Sequence, residues 1–573
     1  MYSGKCIAVD LPTDLNEGRL IVLSNGYVYY VTKSWWDKDK KRTLDNRIGI
    51  GKLDPDDHKK LFPGKRYNEI FGRDNSSDEI ERFYSAQYRK EAGELDFILS
   101  YGPYIVLKRC LELCGGLEAL NKSIPSFRDE IIALAVHAVV AEKSRAQDFP
   151  YWGFDNYCGL KRTISDSTVS RIYQEIASSP ESINLFFEYY RSEFHRLFPF
   201  SKTRVVAYDS TNQVTESDNQ SRAYRGKSKT GEKLPIICTA MFVDEHTGIS
   251  LWYEHFDGNV FDKSETPYSM EKAVQLGFNK LFAMFDRGYY SEDNVKRLNG
   301  LEIEYGMMMP ETVNLVTETI EKWRDTLRLK EVYYIPEEDI YGTQTTVTLP
   351  NGDVMPAFVY YDDRTATDER NSIHNKIKFF LREAEERIRY SDKMKDYFQK
   401  RAIKVTKLET KDPLGRNFSL SIDTEMVQQA NDEAGYFMIL SNTIMTAKEM
   451  ICIARGRDCV EKGFRDLKSH FDLARTYTHS DASYTGKMFV SFIALIMLQS
   501  FRYFEREILQ LKSSETVATL LSELRKYKIQ EKKDKSWMPV YAMNKKQKSI
   551  VEKVSLDQDS IEELVRNLNL KRL

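Results

Sequence analysis

Thr203-Arg-Val-Val-Ala-Tyr-Asp-Ser-Thr-Asn212 is the stretch whose reading decides the fold. Its apolar run from Val205 to Tyr208 predicts a short strand that ends in an acid, Asp209. Asn279 to Phe285 repeats the pattern and ends in Asp286. Between them, Leu234 to Val243 and Ile249 to His255 read as strands joined by the polar turn Asp244 to Gly248, and Lys263 to Leu276 reads as a helix. Ser291 to Leu298 then predicts a short helix and Ile303 to Met309 a fifth strand. Strand, strand, strand, helix, strand, helix, strand predicts a mixed α/β sheet. Its first three strands are antiparallel and the later ones are reached by helical crossovers.

On the N-terminal side, Arg19 to Leu23 and Tyr27 to Val31 flank Asn25-Gly26, a type I′ hairpin signal, and Arg47 to Leu53 reads as a third strand. Lys38, Lys40, Lys41 and Arg42 form a basic loop, read either as a solvated hairpin tip or as part of a small sheet gripping DNA phosphates. Residues 80 to 200 are helical by period, including Glu130 to Glu142 and a helix from Pro180 to Phe198 with Ser179 as its cap. Ile164 to Tyr173 opens with a cap-like Ser/Asp start, and with the helical segment before it fits a helix-turn-helix as well as an ordinary helix pair.

On the C-terminal side, residues 311 to 447 interrupt the α/β pattern. They hold strand-like stretches at Glu331 to Ile335, Gln344 to Leu349, Ala357 to Tyr361 and Tyr436 to Leu440, and a charged helical run from Ile373 to Arg401. Lys448 to His470 reads as one strong helix and Met488 to Glu507 as another, followed from residue 508 by a polar helical tail. Arg525 to Lys553 carries ten Lys/Arg against three acids, a local excess of +7.

The 573 residues are 41% hydrophobic and 30% charged, which excludes wholesale disorder, and 28 glycines with 16 prolines exclude a collagen-like or low-complexity chain. Lys+Arg 84 against Asp+Glu 86 leaves a formal charge of -2, so any nucleic-acid footprint must be local. Seven cysteines without a Cys-x-x-Cys pair argue against a secreted disulfide framework. Cys110 and Cys114 read as buried apolar residues rather than zinc ligands. Acids at 10, 14 and 17 exclude a signal-peptide start. The longest apolar run, Met488 to Phe501, falls short of the roughly 20 residues a membrane span needs. The chain reads as intracellular, with no membrane partner.

Three acids carry the candidate chemistry. Asp209 and Asp286 emerge from a sheet edge, side by side if their strands are neighbours. Glu461 lies on Ile453-Ala-Arg-Gly-Arg-Asp-Cys-Val-Glu-Lys-Gly-Phe-Arg-Asp-Leu-Lys468, where Arg457, Glu461 and Lys468 share a helical face and Phe464 and Leu467 anchor the helix. Clustered carboxylates raise each other's pKa, a cost that a divalent cation removes. Hard oxygen donors suit Mg²⁺ or Mn²⁺, and two such ions serve phosphoryl transfer, with Arg457 and Lys468 holding phosphate. The plain alternative for each acid is a turn, a helix cap or a solvated ion pair. Residue spacing alone leaves both readings open.

The same residues resemble a DDE transposase of bacterial insertion sequences, in the group whose third acid lies in a Tyr-x2-Arg-x3-Glu-x6-Lys signature. Arg457-x3-Glu461-x6-Lys468 matches the spacing, while Ala454 stands at the tyrosine position. Tyr208-Asp-Ser-Thr-Asn212, Asp286-Arg-Gly-Tyr-Tyr-Ser291, Gly226-Lys-Ser-Lys229 and Gly258-Asn259 also look like the family's segments, and the similarity runs along roughly residues 200 to 505. The resemblance implies a ribonuclease-H-like core interrupted by a β-rich insertion. It implies Asp209, Asp286 and Glu461 as the triad holding Mg²⁺ (with Mn²⁺ as substitute), two ions per site. It also implies a dimer on two DNA ends and a bacterial cytoplasmic setting at the nucleoid. The expected domains are 1–75 (β-rich, candidate DNA binding), 76–200 (helical DNA-binding or linker region), 201–310 and 448–507 (the two parts of the core), 311–447 (insertion) and 508–573 (basic helical region).

Expected DNA contacts, besides Arg457 and Lys468, are Arg222, Arg225, Lys227 and Lys229 on the loop between the first two strands, with Asn259 and Arg287. A solvated hairpin is the alternative for that loop. Trp152, Trp252 and Trp323 are candidates for stacking on an unpaired base, with Trp323 in the insertion preferred and a core position the alternative for each. The expected reaction is metal-dependent cleavage at element ends and strand transfer into target DNA. The alternatives are an inactive end-binding relic and a ribonuclease-H-like nuclease without strand transfer.

Overall fold

The computed structural model describes residues 9–71, 98–387, 406–410 and 418–568, apart from positions 14, 16–17, 38–40, 56, 142–144, 161–162, 201–202, 230, 279, 302, 512–514 and 533–535. The expected helix start at 80–97 and the C-terminal half of the Ile373 to Arg401 run lie outside the described residues. The chain divides into two compact units, one up to Asp96 and the other from Phe97.

The first unit is a five-stranded sheet in the order β1-β5-β4-β3-β2, built from β1 (Val9–Asp10), β2 (Arg19–Val22), β3 (Tyr27–Asp37), β4 (Arg42–Leu53) and β5 (Lys60–Pro63). Val28, Tyr30, Ile50, Leu61 and Tyr67 form its core, the last from the helix Lys65–Phe71. The Asn25-Gly26 hairpin is present but is not type I′. Gly26 alone has a positive φ, of 82°, and Leu23 pairs with Tyr27 across three residues, so a single left-handed residue closes the turn.

The second unit is organised by a ten-stranded mixed sheet. β7 (Arg204–Thr215), β8 (Ile236–Asp244) and β9 (Ser250–Asp257) are antiparallel. β10 (Leu281–Phe285) returns parallel to β7 after the helix Asp262–Gln275, and β11 (Glu304–Met308) parallel to β10 after the helix Glu292–Gly300. The order β9-β8-β7-β10-β11 therefore matches the predicted succession of hairpins and crossovers.

One expectation needs correction: β7 does not stop at Asp209 but runs on to Thr215. Its polar second half is buried with hydrogen-bond partners from the rest of the unit. β8 pairs it throughout, Asn212 Nδ2 donates to the Lys227 carbonyl, and Tyr484 donates to Gln213.

Residues 334–361 and 436–441 extend this same sheet. β17 (Tyr436–Ser441) pairs antiparallel with β11, and β14 (Val354–Tyr361), β13 (Ile340–Thr348) and β12 (Tyr334–Ile335) follow outward. The ladder between β15 (Thr406–Thr410) and β16 (Phe418–Ile422) stands apart from it. β18 (Arg475–Thr476) pairs with the end of β7.

Helices Gly102–Leu113, Arg128–Val140, Asp166–Ala177 and Pro180–Leu197 lie in the same core as the sheet. Ser165 caps the third through Thr168 N, whereas Ser179 makes no side-chain cap, its carbonyl accepting from Ser182 N instead. The wholly buried Cys110 and Cys114 belong to this core. Through it runs Asp481–Phe504, long and apolar enough to span a bilayer yet buried along most of its length. Gly486 lets it cross Asp166–Ala177 closely, since a Cβ there would stand 2.0 Å from the Tyr173 carbonyl oxygen. The tail is not wholly helical: β19 (Lys528–Glu531) pairs with β20 (Trp537–Pro539) and with β6 (Ile98–Ser100).

Glu505 closes the long helix with 0% exposure, and among the described residues neither carboxylate oxygen has a hydrogen-bond partner. Burial pushes it up to about 8, opposed by the charge of Lys553. The unfolded carboxyl titrates near 4.3. The stability this residue contributes is therefore complete below that pH and is lost as pH rises through about 8. Glu505→Gln is expected to raise the melting temperature by about 1–3 °C at pH 8.5 and to change it little at pH 5, measured by thermal unfolding at both pH values.

Candidate active site on the central sheet

Parallel pairing of β7 and β10 places two of the acids. Ala207 is in register with Met284, and two residues further along stand Asp209, within β7, and Asp286, just past the end of β10. Each accepts the backbone N–H of the residue after it, Ser210 N at 2.8 Å and Arg287 N at 2.8 Å. The Tyr289 hydroxyl donates to Asp209 Oδ1 at 2.8 Å and lies 3.0 Å from Ser210 Oγ. Burial, reinforced by the Asp209 charge, holds the Tyr289 phenol well above its ordinary pKa, so it remains a donor. The sequence reading quoted Tyr289 within its motif but gave it no role. An aromatic hydroxyl three residues past a strand-ending acid was the signal available.

The third acid arrives from helices packed on the sheet. A capping box of Thr446 and Glu449 starts Ala447–Gly456, and Asp458–Arg465 follows after a break at Arg457. Asp466–His470 then winds as a π-helix, so the single helix expected over 448–470 is three segments. Lys468 falls on the π segment and leaves the phase of a regular α-helix. Arg502 clamps that segment through Asp466 at 2.7 and 3.1 Å. Val460, Gly463, Phe464 and Leu467 are buried, as predicted for the two anchors, leaving Glu461 half exposed on the outer side.

Arg457 connects this helix to the sheet. Its guanidinium lies 2.9 Å from Glu461 Oε1 and 3.8 Å from Asp286 Oδ2, and only 16% of its side chain is exposed. It neutralises two carboxylates that would otherwise repel. Lys468 is close enough to Asp209 and Lys229 for both charges to act on it. Burial first, then Lys229, pushes its ammonium below the ordinary value, and Asp209 opposes. The donor set is three carboxylates, the hard oxygens that suit Mg²⁺ or Mn²⁺. They are not gathered at one point: among the described residues no three acidic, His or Cys side chains are grouped to hold a metal ion. Asp209 and Asp286 meet by register, and Glu461 joins them through Arg457.

The basic loop between β7 and β8 runs from the end of β9 to the first acid. Tyr224 bridges to Ile236, and Gly258 N donates to the Arg222 carbonyl at 3.1 Å. Lys229 N donates to Asn212 Oδ1 at 3.0 Å, and its ammonium reaches the Ser210 carbonyl beside Asp209. Two glycines allow the approach: a Cβ on Gly226 would lie 2.1 Å from the Gly258 oxygen, and one on Gly258 1.9 Å from the Ile236 oxygen. Arg222 donates to the His255 carbonyl, while Arg225, Lys227 and Asn259 are exposed. Arg287 pairs with Glu311 at 2.5 Å in an exposed contact of small energy.

Each of the three candidate stacking tryptophans packs on other rings. Trp252 is buried against Phe242, which removes it as a stacking surface. Trp152 packs on His137 and Phe149. Trp323, on the helix Asn314–Leu327, is partly buried edge-on to Tyr333. Ala454 packs against a small apolar cluster that includes Phe282 and Met450.

Residues 200–497, just over half the chain, match the family model described as the transposase DDE domain. Among solved structures the chain is similar to the piggyBac transposase synaptic complex with hairpin DNA, at 10% identity over 81% of this chain and 82% of that one, with a TM-score of 0.32. No curated protein matches it.

Gly258→Ala is expected to cost about 1–3 kcal/mol, because backbone rather than a movable side chain opposes the new methyl group. The check is a denaturant midpoint that falls while the slope is unchanged.

Proposed function

The chain belongs to the family of DDE-domain transposases, and from that premise we propose that it cleaves DNA at the ends of a bacterial insertion sequence and joins them to target DNA. The observation that carries the reading is the register of β7 and β10, which sets Asp209 beside Asp286, with Arg457 linking Asp286 to Glu461. The 3-2-1-4-5 order of the first five strands of the central sheet supports a ribonuclease-H-like core. Arg457-x3-Glu461-x6-Lys468 supports the group whose third acid lies in that signature, with Ala454 as its departure.

In this reading Asp209, Asp286 and Glu461 would hold divalent cations, Mg²⁺ with Mn²⁺ as substitute and two per site. Bound there, the cations would supply the charge that favours deprotonation of an attacking water or hydroxyl and neutralises the leaving oxygen. The chain's own residues do the rest. Tyr289 fixes the orientation of the Asp209 carboxylate. Lys468, Lys229 and Arg457 bring positive charge to the phosphate and oppose the charge that builds on it in the transition state. Arg222, Arg225, Lys227 and Asn259 line the approach from the end of β9 and hold the backbone. Water attacks the phosphodiester at the element end, breaking the P–O bond and releasing a 3′-hydroxyl. That hydroxyl then attacks a target phosphodiester in line, with no covalent protein intermediate. A homodimer bringing two ends together, in the bacterial cytoplasm at the nucleoid, completes the proposal.

The test is a duplex carrying the inverted-repeat DNA that flanks the gene, incubated with the native chain and with Glu461→Gln, with and without Mg²⁺ or Mn²⁺. Cleavage at the element end is expected only with metal and the native chain. The variant should lose at least about 10³-fold in rate, comparable to losing a large electrostatic contribution, and keep its affinity for the end. Retained cutting by the variant sinks the assignment of Glu461. Binding without cleavage by the folded native chain would instead indicate an end-binding relic, the reading that Ala454 favours.

A further inference from the structure

The N-terminal unit carries a feature that its own core does not require. β2 pairs with β3 only as far as Val31, and β5 pairs with β4 only from Gly51 onward. Past a bulge between Val31 and Lys33, β3 and β4 continue alone as a two-stranded ribbon, from the pair Lys33↔Asn46 to the pair Asp37↔Arg42. An isolated ribbon of this kind is marginally stable in water and gains nothing from the sheet's core.

Two tryptophans lie on it. Trp35, opposite Leu44, is 46% exposed, and Trp36, opposite Thr43, is 61% exposed. Consecutive strand residues point to opposite faces, so each face of the ribbon presents an indole. Adjacent exposed tryptophans are an expensive way to decorate a solvated hairpin and an effective way to grip a partner.

The charge on the ribbon selects the partner. Residues 33–47 carry six Lys/Arg against three Asp. Of the two acids within the paired part, Asp37 stands opposite Arg42, and Asp45 is only 7% exposed and held by Arg19 and Arg47 at 3.5 and 3.0 Å, while both guanidiniums reach into solvent. The outward field is therefore basic. A basic two-stranded ribbon with an aromatic on each face matches the major groove of duplex DNA, which is wide enough to admit a ribbon.

We infer that the β3–β4 ribbon is a DNA-binding element of this chain, which enters the groove of the duplex at the element end. Lys33 and Lys41 meet phosphates, and the indoles of Trp35 and Trp36 pack on the groove walls. The inference rests on the reading of the chain as a transposase and adds a second DNA contact surface, on a unit separate from the catalytic sheet.

The test uses the full chain without divalent metal, so that nothing is cleaved. The probes are the flanking inverted-repeat duplex and a scrambled duplex of the same composition. Binding is followed by anisotropy across a salt series for the native chain, for the double variant Trp35→Ala/Trp36→Ala and for Lys33→Ala/Lys41→Ala. All substituted positions are exposed, and matching melting temperatures confirm that the variants fold. The tryptophan variant is expected to bind the end about tenfold more weakly or worse at fixed salt. The lysine variant should lower the slope of log affinity against log salt by about 2. If the native chain binds the end and both variants match it in affinity and slope, the ribbon assignment is overturned alone. If the native chain binds neither duplex, the ribbon assignment and the transposase reading fall together. Unchanged end binding with loss of self-association in sedimentation would assign the ribbon to a second copy of the chain and overturn the DNA assignment.

Discussion

The buried ion pair between Arg204 and Asp244 sets the frame for the second unit. Arg204 Nη1 lies 2.6 Å from Asp244 Oδ1, with side chains 4% and 2% exposed. The guanidinium also donates to the Phe198 carbonyl and stacks between the rings of Phe194 and Phe200. Asp244 takes two further bonds from Thr247. Such a pair adds little net stability, but leaving either partner alone costs about 3–5 kcal/mol. Arg204 opens β7 opposite Leu281 of β10, and Asp244 closes β8, so the pair ties the start of β7 to the end of β8. A slip of one residue would turn every side chain of β7 to the other face and part Asp209 from Asp286.

With that register set, the remaining electrostatics concentrate on Arg457. It stands at the break between two helices, mostly buried, and faces carboxylates from a strand end and from its own helix. Gly456 before it lets the helix end lie against Glu245, where a Cβ would meet that side chain at 2.0 Å. The π turn after Asp458–Arg465 then carries Lys468 toward the Asp209 side, and the Arg502–Asp466 pair fixes that turn to the core helix. Irregular winding on both sides of Glu461 thus relates helix to sheet, in keeping with the recurrence of π turns at functional sites.

Much of this was legible in the residues. The apolar runs ending near Asp209 and Asp286 gave two neighbouring strands. The polar turn Asp244 to Gly248 gave a hairpin, and the order of elements gave the crossovers. What stayed illegible depended on distant partners. The polar half of β7 reads as a loop until Tyr484 and the Lys227 carbonyl satisfy its buried side chains. Tyr289 reads as ordinary core until its hydroxyl meets Asp209. The break at Arg457 and the π turn leave no mark on a helical period, because the same apolar spacing serves either winding. β19 and β20 are three or four residues each, within a tail whose composition speaks only for solvent.

The detour between β11 and β17 also bears on time. After Met308 the chain adds β12, β13 and β14 at the outer edge of the sheet before returning beside β11 at Tyr436, and the second and third acids are separated by about 175 residues. At roughly 5–20 residues per second of synthesis, Glu461 follows Asp286 out of the ribosome by about 10–35 s. The helix Asp481–Phe504, which the core needs for closure, comes later still. A nascent chain therefore carries Asp209 and Asp286 for many seconds before Glu461 can join them.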